Sequence, residues 1–161
     1  MRRELLMSRL ALALAALTGG APANALDLDN SHRAAIWYEA FSKHDPDLLG
    51  TVLADDWYET PSTERGGKQT AMKLLVSLTT AFTDFDIEIK DMIQEGNKVV
   101  VRSHITGTHM FPFLGFPARR AKLSIQAIDI HEFKEGKIVH TWHSEDWMTG
   151  LRQLGVLPSE P

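Results

Sequence analysis

Two periodicities divide the chain. As far as residue 82 the apolar positions recur at helical spacing, and from residue 85 they alternate with polar ones. In the first part Trp37, Ala40 and Phe41 stand at i, i+3, i+4, in a helix that Ser31 can cap and that runs to Lys43 or His44. Asp45-Pro46 starts a second helix, with Asp as N-cap and Pro at the first helical position. Leu48, Leu49, Val52 and Leu53 give that helix an apolar face, and Asp55-Asp56 ends it. Trp57 to Thr60 predicts a short strand broken by Pro61. A third helix is predicted from about Lys68 to Phe82, with Met72, Leu75, Val76, Thr79 and Phe82 on its buried side.

The alternating part predicts four long strands. Phe85, Ile87 and Ile89 alternate with Asp86, Glu88 and Lys90, and Glu95 to Lys98 is a turn. Val99 to Met110 follows, its more apolar face carrying Val99, Val101, Ser103, Ile105, Gly107 and His109. Gly107 suggests a bulge or bend. The loop FPFLGFPA (residues 111–118, with Phe113 near its start) is too apolar to be simply solvated. It either folds over a pocket mouth or packs on the rim of the core or at a subunit interface. Then comes a hairpin around Lys134-Glu135-Gly136-Lys137. On its first strand Leu123, Ile125, Ala127, Asp129, His131 and Phe133 share the apolar, inward face. Unbroken alternation on the return strand puts Ile138, His140, Trp142, Ser144 and Asp146 together. Residues 149–154 form a short closing helix. Helices followed by strands indicate an α+β fold, here a curved antiparallel sheet with about three N-terminal helices packed on its concave face. Such a sheet leaves a conical pocket.

Composition changes this picture at the N-terminus. Arg2, Arg3 and Arg9 precede an Ala/Leu run, and Ala23-Asn24-Ala25 is a small-x-small cleavage site. Residues 1–25 therefore read as a cleaved signal peptide, and residues 26–161 as a single domain, periplasmic or secreted. The apolar run is too short to span a bilayer, and no integral membrane span is expected. The net charge of −4 argues against nucleic acid as a partner. With no Cys, thiolate chemistry and disulfides are excluded.

Asp129 and His131 on an inward face are costly unless paired or used. One reading is a structural Asp–His hydrogen bond; the other is a pocket whose acid and base come from adjacent strands. His140-x-x-His143 puts its imidazoles on opposite faces of a strand, so no metal site is expected there. No nucleophile-elbow motif is present. Arg102 and His104 fall on the outer, less apolar face of their strand.

An ordered set of short segments carries a resemblance. It comprises Gly107-Thr108-His109, Leu114 to Ala118, Ile128-Asp129-Ile130, Glu135 to Val139, Trp142 four residues before Asp146, and Arg152 to Leu157. Together they resemble the SnoaL-like polyketide cyclases, often labelled ester cyclases, over about Ser31 to Leu157. The resemblance implies the cone-shaped α+β barrel of the nuclear transport factor 2 superfamily, a homodimer paired on convex sheet faces, and no cofactor. It also implies that Asp146 is the general base of an aldol-type closure, with His131, Asp129 and His109 in the same pocket. Trp142 and Phe133 would then desolvate Asp146, and Trp37 and Phe113 would help to hold the ligand. Met110-Phe111-Pro112-Phe113 departs from the small or polar residues usual after Gly-Thr-His, which points to a different substrate. The function expected is proton abstraction from a small apolar carbonyl compound, followed by cyclisation or isomerisation. The alternative is a non-catalytic envelope protein that binds a small hydrophobic molecule in the same cone.

Overall fold

A computed structural model describes residues 25–158, with side chains from Asn30 onward. The signal-peptide reading therefore lies outside the described residues, apart from Ala25. Helix α1 spans Ala25–Lys43 and buries Ala34, Trp37, Tyr38, Ala40 and Phe41 on one stripe. Helix α2 spans Pro46–Val52, and the Asp45 carboxylate accepts from the Leu48 amide at 2.9 Å, as its Asp-Pro start requires. Strand β1 spans Leu53–Thr60 and helix α3 Lys68–Ala81. Strands β2 (Asp86–Glu95), β3 (Lys98–Thr108), β4 (Lys122–Lys134) and β5 (Lys137–Glu145) follow, then helix α4 (Trp147–Gln153). Among the described residues no helix is long and apolar enough to cross a membrane.

The α+β class is as expected, with one change in the sheet. It has five strands in the order β1-β5-β4-β3-β2, and β1 runs parallel to β5 while the other pairings are antiparallel. The segment expected as a short strand at residues 57–60 begins at Leu53 and forms a full edge strand. Its parallel direction follows from its approach: it enters from α2, not through a hairpin. The third helix is also turned relative to expectation. It buries Ala71, Leu75, Leu78 and Ala81, while Val76 is 48% exposed. Close packing at alanines, which carry little hydrophobic weight in a pattern, sets its orientation.

Strand β4 has the face expected. Leu123, Ile125, Ala127, Asp129, His131 and Phe133 are all buried, and Ile128 is 42% exposed on the other side. Strand β5 does not. Phe133 pairs with Ile138 but Glu132 pairs with His140, so Val139 is an extra residue and the register slips by one. Beyond this bulge Thr141, His143 and Glu145 lie opposite His131, Asp129 and Ala127 and share the inward face with them. Trp142 and Ser144 face outward. Gly107 marks no bulge, because the β3–β4 register runs unbroken past it. A Cβ there would lie 3.0 Å from the Phe82 Cβ, so its role is close approach to the end of α3.

Candidate functional site

The inward residues of the three central strands form rows across the sheet. Val99, His131 and Thr141 make one row, Val101, Asp129 and His143 the next, and Ser103, Ala127 and Glu145 the third. Helices α1 and α3 and the 111–118 loop stand over them and leave a cavity of about 220 Å³. Its walls are apolar at Trp37, Phe41, Leu78, Ile105 and Phe113. Its polar groups are Tyr38, Glu59, Ser103, Asp129, His143 and Glu145. The loop is shaped for this position: reciprocal backbone hydrogen bonds between Phe113 and Phe116 turn Phe113 inward and leave Leu114 at the rim.

A directional hydrogen-bond chain backs the cavity. The Trp57 indole N–H donates to Thr141 Oγ1 at 3.1 Å, and Thr141 Oγ1 is 3.0 Å from His131 Nδ1. His131 Nε2 is 2.9 Å from the Tyr38 hydroxyl, which donates to Asp129 Oδ2 at 2.8 Å. Burial pushes the Tyr38 phenol up, as does the Asp129 charge, so it keeps its proton. Burial also lowers His131 to about 4, against the pull of Asp129, so that imidazole is neutral. With Thr141 donating to Nδ1, the proton of His131 sits on Nε2 and is given to Tyr38. Every member is satisfied, and the order of donors is unique.

Asp129 accepts at its other oxygen from His143 Nδ1, and His143 Nε2 donates to Glu145 Oε1 at 3.1 Å. The Trp147 indole N–H holds the remaining Glu145 oxygen. Burial alone would lower His143, but the hydrogen bonds and charges of Glu145 and Asp129 outweigh it and raise it to about 11. For Asp129 burial raises the carboxyl, and the His143 hydrogen bond and charge prevail and hold it below the ordinary carboxylate range. The centre is thus an imidazolium clamped between two carboxylates. Glu59 reaches the same cavity from the edge strand β1. Its pKa is raised, first by burial and further by the charges of Glu145 and Asp129, against the opposing pull of His143. No described hydrogen bond or ion pair holds its carboxylate.

The sequence candidates separate in this frame. Asp129, Trp37 and Phe113 line the cavity. His131 lies one layer behind it, fully buried, with the Trp37 ring at 5.1 Å. Phe133 is core. His109 is 1% exposed and stacked on Phe82 at 5.2 Å, without a hydrogen-bond partner among the described residues and outside the lining. Trp142 lies on the outer face against His140 and Lys98. Asp146 is an exposed N-cap of α4: it accepts from the Thr149 amide at 3.1 Å, and hydrogen bonding from the Thr149 side chain, and then from that amide, lowers its pKa. The expectation of a desolvated Asp146 base packed on Trp142 and Phe133 is therefore corrected, and the bulge at Val139 is the reason. Sequence reasoning missed His143, Glu145, Glu59 and Tyr38. Only Tyr38 carried a usable sign, one residue after Trp37 on the predicted α1.

An α+β cone with a cavity over its sheet defines the nuclear transport factor 2-like fold class. Residues 32–154 match the family described as SnoaL-like polyketide cyclase, and the chain belongs to that family. Among solved structures it is similar to TsrD from Streptomyces laurentii, at 27% identity and a TM-score of 0.73, over 78% of this chain and 94% of that one. It is similar also to IdmH from Streptomyces antibioticus, assigned as a polyketide cyclase, at 26% identity and a TM-score of 0.67, over 78% and 98% of the two chains. A third, assigned as a polyketide cyclase from Bacillus cereus ATCC 10987, has 26% identity and a TM-score of 0.69, over 80% and 82%. A search of curated proteins finds no match.

Proposed function

We propose that the protein is a cofactor-independent acid–base enzyme that removes a proton next to the carbonyl of a small apolar compound. Glu59 is the base, and His143 steadies the enolate. The observation that carries this is the pairing in one apolar cavity of an unheld carboxylate of raised pKa with an imidazole that two carboxylates hold in its charged form. The raised pKa brings Glu59 towards the working pH, where a general base is most effective. His143 Nε2 is bonded to Glu145 at 3.1 Å and can turn its N–H to the enolate oxygen, with Asp129 still fixing the other nitrogen. The carbanion then attacks a second carbonyl, an aldol-type cyclisation in which Glu59 returns its proton to the new alkoxide. Otherwise the proton goes back to carbon, as in isomerisation.

The test needs no natural substrate. Exchange of the C2 protons of 1-tetralone in D2O, followed by NMR, reads proton abstraction directly. Glu59→Gln is expected to slow it by about 10²–10⁴, the usual worth of a positioned base, with the ketone still bound by calorimetry. Exchange surviving within about tenfold ends the role of Glu59. Binding without exchange in the native protein would instead leave a carrier of hydrophobic molecules.

We propose also that the chain is exported with cleavage after Ala25, from residues 1–25 alone, and pairs as a homodimer through the outer sheet face. The row Val100, Ile130 and Trp142 on that face, with exposed Ile128 beside it, supports pairing. One native mass measurement on protein from the host reads both: a dimer of chains beginning at Leu26 is expected, and a full-length monomer refutes both.

A further inference from the structure

The Ser103 hydroxyl is not used by the acid–base cluster or by the chain behind it. It lines the cavity on β3, its residue is 1% exposed, and its oxygen has no hydrogen-bond partner among the described residues. A buried hydroxyl left unmatched carries a desolvation cost and is uncommon. Its place is informative. Ser103 pairs with Ala127, and Ala127 with Glu145, so the two polar residues flank a small one on the floor of the cavity. Ala127 leaves open the space between them. Its neighbour in the next row is Asp129, which holds His143.

We propose that Ser103 is a specificity-determining residue: its hydroxyl holds a second oxygen of a neutral two-ring substrate whose first oxygen sits at His143. This rests on the acid–base reading of the same cavity and adds the substrate class to it. Strands lie ~4.8 Å apart and inward residues ~6.8 Å apart along a strand, so the backbones of Ser103 and His143, two strands and one row apart, are roughly 12 Å apart. Both side chains stand on the inward face of a curved sheet, so their polar atoms are no farther apart than that, and a hydrogen bond of ~3 Å at each end leaves two ligand oxygens at most roughly 6 Å from one another, within the span of a fused pair of rings. The volume agrees. A cavity of about 150 Å³ holds benzene, and this one, at about 220 Å³, has space for a second ring. A compound oxygenated at both ends is what an aldol-type closure starts from or delivers.

The experiment compares 1-tetralone with 6-hydroxy-1-tetralone, which adds an oxygen on the far ring, by calorimetry on the native protein and on Ser103→Ala. The native protein is expected to bind the hydroxy-ketone about fivefold more tightly, the worth of one net hydrogen bond, and Ser103→Ala to bind the two alike. The melting temperature of Ser103→Ala should equal or exceed the native value, because the group removed has no partner within the protein; a lower value would mark a structural hydroxyl and count against the proposal. Ala127→Leu, which fills the floor between the two ends, should weaken both ketones. Equal native affinities, or a preference that survives Ser103→Ala, overturn the role of Ser103 while C2 exchange of 1-tetralone leaves the Glu59 reading standing. Absence of both binding and exchange in the native protein overturns the two together.

Discussion

At the scale of single residues, the two histidines of the site, His131 fully buried and His143 partly so, hold opposite protonation states. His131 is neutral because burial lowers it to about 4, and His143 is charged because Asp129 and Glu145 raise it to about 11. Both depart from an unfolded value near 6.5, in opposite directions. A depressed group stabilises the fold above its unfolded pKa, and that contribution is lost as pH falls, here from about 6.5 towards 4 for His131. A raised group stabilises below its unfolded pKa, and that contribution is lost as pH rises, here from about 6.5 towards 11 for His143. Stability should therefore peak near pH 6.5 in urea melts. Glu59, whose pKa is raised, works against the acid limb, since a raised carboxyl favours folding at low pH. His131→Asn is expected to flatten the acid limb, and His143→Gln the alkaline one. A profile level from pH 4.5 to 10 would show that neither imidazole is held as described.

At the scale of elements, the strand carrying Asp129 and His131 was legible because its alternation is unbroken for thirteen residues, and every inward position is buried as the pattern requires. Its partner was not, because one inserted residue changes the face of everything after it. Ile138-Val139-His140 alternates acceptably on either side of the slip, so nothing in residue type marks the bulge. The outcome is decided by pairing: with Phe133 against Ile138 and Glu132 against His140, His143 must face Asp129. That contact neutralises a charge that would otherwise be buried alone, which favours this register over the regular one. The edge strand presents a similar difficulty. Glu59 reads as a polar residue two positions before Pro61, and only the parallel pairing of β1 with β5, Glu59 against Thr141, carries it to the cavity. Long-range pairing thus placed most of the chemistry, while local pattern placed the helices and the floor of the cone.

At the scale of the whole molecule, charge sets what the cone accepts. The chain is acidic, with 21 Asp and Glu against 17 Lys and Arg, and the cavity repeats that balance: Glu59, Asp129 and Glu145 face one imidazolium. Between apolar walls these charges interact more strongly than at the surface, and salt in the buffer screens them less. A ligand that brings its own negative charge meets a net anionic floor whose imidazolium, His143, is already shared by two carboxylates, whereas the enolate of the proposed reaction forms only as Glu59 takes up the proton and loses its own charge. Neutral ligands meet only the apolar lining and the polar groups at its base. A matched pair of compounds of the same size tests this without reference to turnover. By calorimetry at pH 7.5, 2-naphthol is expected to bind at least about tenfold more tightly than 2-naphthalenesulfonate, a difference of ~1.4 kcal/mol. The sulfonate stays charged at any working pH, so acidification changes only the protein. As pH falls through the raised pKa of Glu59 the floor loses one negative charge, and the gap should narrow. In Glu59→Gln the gap should already be narrow at pH 7.5 and stay constant on acidification. Added salt should leave it largely in place, in contrast to binding at an exposed patch. Equal affinities at pH 7.5 would mean that the carboxylates do not face the ligand, and the acid–base reading of the cavity would fall with them.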